Sequence, residues 1–193
     1  MLERSPGPAI RGAYLRDAYA VTERLGPGVA ARINERLGGE TCRALAAVRP
    51  DDWAPVELDV ALTDAIHVEL GDGGLRRANR EAFLAAIEGP VLRPLVTGLQ
   101  RMFGLTPLAL LRLAPRLWNT IYRDCGDLVL EQTERAHAIV LEDAPDVLLA
   151  APSYFIGVAG VIDGCFVLTR RAGSVEIATD AATRRVRWRL TWE

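Results

Sequence analysis

From Pro152 to Thr169 the sequence reads PSYFIGVAGVIDGCFVLT, in which Asp163 is the only charged residue. Small residues recur at intervals of four, three and four positions, which places them on one side of a helix: Ser153, Gly157, Gly160 and Gly164. Another side carries bulky residues: Phe155, Val158, Ile162 and Phe166. We therefore predict an apolar helix that lies across a sheet made by the segments on either side of it.

The stripe of small residues allows two interpretations. A neighbouring element packs against the helix backbone, or a space is left that a ligand fills. Close packing is favoured, because protein interiors contain few voids larger than a water molecule. The ligand interpretation predicts an apolar cavity between the helix and the sheet, with Tyr154 and Cys165 at its mouth as the only polar groups. The candidate ligand-binding residues are Ser153, Tyr154, Gly157, Gly160, Gly164 and Cys165.

The last segment, Arg184 to Trp192, has the strict alternation of a strand with one buried and one solvated face. Val186, Trp188, Leu190 and Trp192 form the apolar face, and Arg185, Arg187, Arg189 and Thr191 form the other. We expect the Trp188 face to pack against the apolar helix. Further strands are predicted at Gly126–Thr133, Arg135–Leu141 and Ser174–Thr179, with Glu134-Arg135 as a tight connection.

Before Gly126 the apolar residues recur at helical spacing. The predicted helices are Ile10–Leu25, Pro27–Leu37, Cys42–Val48, Val56–Leu70, Leu75–Glu88, Val91–Phe103 and Pro107–Tyr122. The glycines of Gly71–Gly74 predict a sharp break, Thr106 an N-cap, and Pro115 a kink. Helices followed by an antiparallel sheet predict an α+β fold. We expect one domain over residues 1–193, with a helical part at about 8–123 and a sheet part at about 126–193.

Composition narrows the class of protein. Half of the 193 residues are hydrophobic and a quarter are charged, which is typical of a globular domain. The formal net charge of −2 gives no general attraction to nucleic acid. Every basic residue other than the two histidines is Arg, so lysine-based chemistry is excluded. The N-terminal residues lack the apolar stretch of a secretory signal, and we expect a cytoplasmic protein.

Isolated polar residues suggest sites, but each has a simpler explanation. His67 and His137 could each ligate a metal or a haem, but a metal site needs several convergent ligands, so we interpret both as structural or solvated and predict no metal. Cys165 beside Phe166 is interpreted as inert packing; the alternative is a thiol that lines a ligand cavity or carries an acyl group. The three cysteines form no paired motif, and no nucleophile and base occur together, so we predict no enzyme.

Three further segments have features of a nucleotide-binding loop, a nucleic-acid site or a membrane span. The glycine-rich turn at Gly71 lacks the spacing of a nucleotide-binding loop. The alternating arginines of the last strand are interpreted as a solvated face, not a nucleic-acid site. The uncharged run Val147–Ile162 is about 16 residues, shorter than the roughly 20 that a membrane span needs, so no span is predicted.

A family resemblance rests on the order of elements and on two motifs: LAPRLW at Leu113–Trp118 and the terminal VRWRLTW. In these the chain resembles a bacterial family of uncharacterised proteins, itself similar to the superfamily of haem nitric-oxide sensor domains, 4-vinyl reductase domains and TRAPP-subunit folds. The resemblance implies an α+β fold whose helix and sheet can enclose a small or lipid-like hydrophobic ligand, and it favours dimerisation through the helical part. The sensors hold haem propionates with a Tyr-x-Ser-x-Arg motif. Four tyrosines lie outside such a motif, and no cofactor is predicted: Tyr14, Tyr19, Tyr122 and Tyr154.

These inferences predict a non-catalytic, cytoplasmic, homodimeric regulatory module. One hypothesis makes it a sensor of a small hydrophobic molecule. The alternative is a protein-interaction scaffold with a fully packed core and no ligand. An apolar cavity would favour the first hypothesis, and a packed core with a broad apolar surface patch the second.

Overall fold

Helices form most of the first part of the chain, and an antiparallel sheet forms most of the second. The computed structural model describes residues 7–88, 93, 96–98, 104–133 and 137–193. Its helices are α1 (Gly12–Val21), α2 (Val29–Ala47), α3 (Val56–Glu88), α4 (Pro107–Leu111), α5 (Ala114–Ile121), α6 (Asp146–Leu149) and α7 (Pro152–Leu168). Its strands are β1 (Ala9–Arg11), β2 (Trp53–Pro55), β3 (Tyr122–Arg123), β4 (Asp127–Gln132), β5 (His137–Glu142), β6 (Gly173–Asp180) and β7 (Arg185–Trp192). The α+β prediction is confirmed.

The larger sheet has the strand order β4-β5-β7-β6, and every neighbouring pair is antiparallel. On β7, Trp188 lies opposite Ile139 of β5 and Ile177 of β6. The Trp188 side chain is fully buried, and its indole Nε1 donates a hydrogen bond of 3.0 Å to the Phe155 carbonyl on α7. The prediction that this face packs against the apolar helix is confirmed.

The opposite face of the sheet is polar and paired. Arg185 lies 3.1 Å from a carboxylate oxygen of Glu131 and 2.9 Å from one of Glu142. Arg187 also pairs with Glu131, on a second oxygen. These arginines of β7 therefore form ion pairs with carboxylates on β4 and β5, which agrees with their interpretation as a solvated face.

Helix α3 is interrupted at Gly71, where the predicted break lies. Gly71 has φ 67° and ψ −177°, a left-handed conformation that L side chains rarely adopt. The two halves of α3 therefore point in different directions although the helix continues on both sides. Thr106 caps α4 as predicted, accepting a 3.2 Å hydrogen bond from the Ala109 backbone N–H. The helix also breaks before Pro115, as predicted, because α4 ends at Leu111 and α5 begins at Ala114.

A small second sheet was not predicted. It has the order β2-β1-β3, and β1 pairs antiparallel with both neighbours. The predicted helix over Ile10–Leu25 is therefore wrong at its start, because Ile10 pairs with Ala54 and with Tyr122. The helical segment that was predicted to end at Tyr122 ends at Ile121, one residue earlier. The predicted connection Glu134-Arg135 and most of the predicted helix Val91–Phe103 lie outside the described residues.

Helix α7 lies between the larger sheet and α3. Its bulky residues face the sheet, where Phe155, Ile162 and Phe166 belong to the same core as Trp188. Its small residues face α3 instead. A Cβ atom at Gly160 would lie 2.4 Å from the Arg76 carbonyl oxygen, so the two helix backbones touch there. The stripe thus allows close packing between two helices.

Candidate functional site

A cavity of about 170 Å³ lies in the helical part of the fold. Its walls come from α1, both halves of α3, α4, α5 and α7, with contributions from β1, β3, β4 and β5. Most of the surface is apolar. Representative wall residues are Ala82, Phe83, Leu110, Leu117, Val158 and Val161. The cavity is thus large enough for a small molecule and offers it mainly hydrophobic contact.

A buried carboxyl group lies in the wall of this cavity. Asp59, in the first turn of α3, is 7% exposed. Its Oδ2 atom accepts hydrogen bonds from the Tyr122 hydroxyl at 3.2 Å and the Tyr154 hydroxyl at 3.1 Å. All three residues line the cavity. We call Asp59, Tyr122 and Tyr154 the carboxyl–diphenol cluster.

Three elements bring this cluster together. Asp59 comes from the start of α3, Tyr122 is the first residue of β3, and Tyr154 lies in the first turn of α7. The ring of Tyr122 lies 6.4 Å from that of Tyr154, edge on, and 4.2 Å from that of Trp118. The aromatic rings hold the two hydroxyls in place, so the hydrogen bonds to Asp59 follow from packing of the core.

Burial raises the pKa of Asp59 from 3.8 to about 6, although both phenol hydrogen bonds act in the opposite direction. Desolvation of the charged form outweighs the two neutral donors. The carboxyl group is therefore mostly ionised at pH 7 and becomes neutral in mildly acidic solution.

The phenols and thiols around the cavity are held in their neutral forms. Burial raises the pKa of Tyr122 and Tyr154 well above 10, and burial followed by the charge of Asp17 raises that of Tyr14 to about 12. Burial, with a smaller effect from Asp163, raises the pKa of the Cys165 thiol to about 12. The thiolate is the reactive form of cysteine, and burial therefore keeps Cys165 in its less reactive neutral form at neutral pH.

The six predicted ligand-binding residues divide into two groups. Tyr154, Gly157 and Cys165 line the cavity. Ser153, Gly160 and Gly164 do not line it, and all three contact α3: Ser153 donates to the Asp64 carboxylate, Gly160 touches the Arg76 backbone, and Gly164 packs on the Phe83 ring. A binding role for any of the six stays a prediction.

A cavity was predicted between the apolar helix and the sheet. The observed cavity borders Val158 and Ile162 of α7, and Leu128 and Ile139 of the larger sheet also line it, but helices contribute most of its wall. Tyr154 and Cys165 are not its only polar groups, because Asp59, Thr63 and Asn79 also contribute to the wall.

Sequence reasoning missed Asp59 and Tyr122. Asp59 follows Leu58 on a predicted amphipathic helix and resembles a surface charge. Its burial depends on tyrosines that are 63 and 95 positions away in the sequence. The one available signal was the presence of tyrosines in otherwise apolar segments, because a buried tyrosine hydroxyl usually has a polar partner.

The two histidines lie elsewhere. His67 Nε2 lies 2.7 Å from an Asp72 carboxylate oxygen, and the His137 ring stacks on Trp192 at 4.5 Å. Neither lines the cavity. Among the residues that the structure describes, no group of three or more metal-ligating side chains could hold a metal ion. Within the same residues, none of the helices has both the length and the apolarity to cross a bilayer.

The fold is similar to those of several solved structures. No protein-family model matches the sequence, and no curated protein matches it. Among solved structures it is similar to an H-NOX protein studied for haem distortion (12% identity, TM-score 0.64, 95% of each chain covered). It is also similar to the unliganded Fe(II) H-NOX protein from K. algicida (10% identity, TM-score 0.61, 95% of this chain and 97% of the other). A variant of the T. tengcongensis H-NOX protein is 13% identical, with TM-score 0.61 and 95% and 98% coverage. These likenesses confirm the fold that the resemblance implied.

Proposed function

We propose that this protein is a non-catalytic binding module that senses a small, mainly apolar molecule in the helical cavity. The observation that carries the proposal is the cavity itself, about 170 Å³ with a predominantly apolar wall. An engineered apolar cavity of about 150 Å³ binds benzene. The cavity therefore suits a molecule about the size of one aromatic ring, and filling it would stabilise the folded protein.

Haem, which the structural neighbours suggest, does not suit this cavity. Haem proteins hold iron with His, Cys, Met or Tyr. No His or Met is among the described residues of the wall, Cys165 is held as a neutral thiol, and two of the wall tyrosines donate to Asp59. The described wall also lacks an Arg that could pair with propionates. The volume is below the roughly 300 Å³ of the smallest pockets for drug-sized ligands.

The non-catalytic part of the proposal is supported by the state of the cavity's reactive groups. The thiol of Cys165 and the phenols of Tyr14, Tyr122 and Tyr154 have raised pKa values and are protonated at neutral pH. Protonated groups of this kind are weak nucleophiles. The cavity is thus better suited to binding than to covalent catalysis.

A thermal-shift measurement with toluene and benzyl alcohol tests the proposal. At a hundredfold excess over its dissociation constant a ligand stabilises the folded state by about 2.7 kcal/mol. Ala82→Leu, which places a larger side chain in the wall, is expected to abolish the shift in melting temperature. Ala85→Leu on the exposed side of the same helix is the matched control and should keep it.

The scaffold hypothesis makes the opposite prediction. If neither probe changes the melting temperature and Ala82→Leu leaves stability unchanged or higher, the cavity is a packing defect and the sensor proposal fails.

The proposal includes homodimerisation through the helical part and a cytoplasmic location. Both rest on the family resemblance and the sequence. Light scattering over a concentration series tests the dimer, and a monomer at high micromolar concentration would contradict it.

A further inference from the structure

The charged side chains in the described part of the cavity wall are all acidic. They are the buried Asp59 and the solvent-exposed Asp17, and the described wall contains no Arg, Lys or His. The groups that lower the pKa of Asp59 are the two phenols, both neutral. A buried carboxylate that is hydrogen-bonded only by neutral donors keeps an uncompensated charge, which is unfavourable in an apolar environment. A cation in the cavity would remove this cost.

The aromatic rings near Asp59 also favour a cation. Trp118, Tyr122 and Tyr154 all line the cavity, and their rings follow one another at 4.2 Å and 6.4 Å between centroids. Aromatic faces attract ammonium groups, most strongly when water is excluded. A buried carboxylate and aromatic rings in an otherwise mainly apolar wall form an environment that matches an ammonium group on an apolar body.

We propose that the cavity binds a small protonated amine whose body is about the size of one aromatic ring, with its ammonium group donating to Asp59. This inference rests on the proposed function and specifies the chemical class of the ligand. A neutral alcohol could also donate to Asp59, but it would leave the charge of the carboxylate unbalanced.

Binding should then depend on the ionisation of Asp59. The titratable groups that face it are Tyr122 from β3, Tyr154 from α7 and Cys125 beyond β3, with Tyr14 and Asp17 of α1 in the same cavity wall. The phenols and the Cys125 thiol have pKa values raised by burial and stay protonated near pH 6. An alkylammonium titrates near pH 10, so the amine stays charged throughout.

The experiment compares benzylamine, benzyl alcohol and toluene, three probes with the same ring, by titration calorimetry at pH 7.5 and pH 5. Benzylamine is expected to bind about tenfold or more tightly than benzyl alcohol at pH 7.5, because its hydrogen bond is charge-assisted. At pH 5, about one unit below the pKa of about 6, its affinity should fall by about tenfold while that of toluene is unchanged. Asp59→Asn should remove the preference for the amine and keep toluene binding.

The outcomes separate this inference from the proposed function. If toluene and benzyl alcohol bind but benzylamine binds no more tightly than the alcohol, the amine proposal is overturned and the cavity remains a site for neutral ligands. If no probe binds, the proposed function fails as well. If Asp59→Asn does not fold, the pH dependence of the unmodified protein decides, and equal benzylamine affinity at both pH values overturns the inference.

Discussion

The two sides of α7 stabilise the fold by opposite means. Towards the sheet the helix presents large side chains, and Phe155 packs edge on against Trp188 with centroids 6.0 Å apart. Towards α3 it presents glycines, and at Gly160 even one added carbon would lie 2.4 Å from a backbone oxygen. The first side gains from buried apolar surface, and the second from close contact between backbones.

The difference bears on where a ligand can bind. On the sheet side, large rings such as those of Phe155 and Trp188 pack against each other and leave less room. The helical side has room because glycines bring α7 onto α3 at one place while Val158 and Val161 border a space nearby. One apolar helix therefore has a packed side and a side next to the cavity.

The largest effect is expected on the packed side. Trp188→Ala removes a fully buried indole and should cost about 3–5 kcal/mol of unfolding free energy in chemical denaturation. Trp192→Ala is the matched control on the same strand and should cost less, because Trp192 is only partly buried. A loss below about 1 kcal/mol for Trp188→Ala would contradict the comparison.

The carboxyl–diphenol cluster should give a pH dependence of similar size. Between pH 4 and 6 folded Asp59 holds a proton that the unfolded chain releases, so its contribution to the unfolding free energy falls as the pH rises through this window. Raising the pKa from 3.8 to about 6 corresponds to about 3 kcal/mol. We therefore compare the unfolding free energy of Asp59→Asn with that of the unmodified protein at each pH. From pH 4 to pH 7 this difference should shift by up to about 3 kcal/mol in favour of the variant. Parallel stability curves from pH 4 to 7 would show that Asp59 is not desolvated.

The glycine side can be tested at two positions of the same helix. Gly160→Ala forces a methyl group against the Arg76 backbone and should cost about 1–3 kcal/mol. At Gly157 the added carbon meets only the Asn79 side chain at 3.2 Å, which can move. Gly157→Ala should be neutral or slightly stabilising, because alanine favours helix. Equal effects at both positions would mean that α7 and α3 are not in backbone contact.

The smallest effect concerns the one charge on α7. Asp163 forms two hydrogen bonds with the Arg76 guanidinium, at 2.8 and 2.9 Å, and both side chains are partly buried. Asp163→Asn should cost about 1 kcal/mol in chemical denaturation. Glu142→Gln breaks the more exposed pair with Arg185 and should cost less. A larger loss for Glu142→Gln would contradict this ranking.

The elements with strong periodicity could be predicted from the sequence. Alternation over eight residues identified β7, and a long uncharged run identified α7. Strands β1, β2 and β3 have two or three residues each, too few to show a period, and Ile10 also matched the spacing of the helix that follows. Its pairing with Ala54 and Tyr122 decided its conformation.

The candidate site was only partly predictable for a related reason. The spacing of Gly157, Gly160 and Gly164 located the small side of α7, but spacing within one helix cannot identify the partner that packs on it. The partner proved to be α3, and most of the cavity wall comes from helices. Asp59 acquires its perturbed pKa from residues distant in sequence, and no local pattern around Leu58 signals that environment.

The position of β7 has a consequence for the order of folding. It lies between β5 and β6, and its Trp188 pairs with Ile139, 49 positions earlier in the sequence. Contacts between such distant residues form slowly, because a long loop must close first. During synthesis one edge of β5 therefore stays unpaired until β7 has been made. Unpaired strand edges promote association with other chains. Helix α7, made before β7, is available earlier to cover the apolar face of β5 and to shield the growing chain from aggregation.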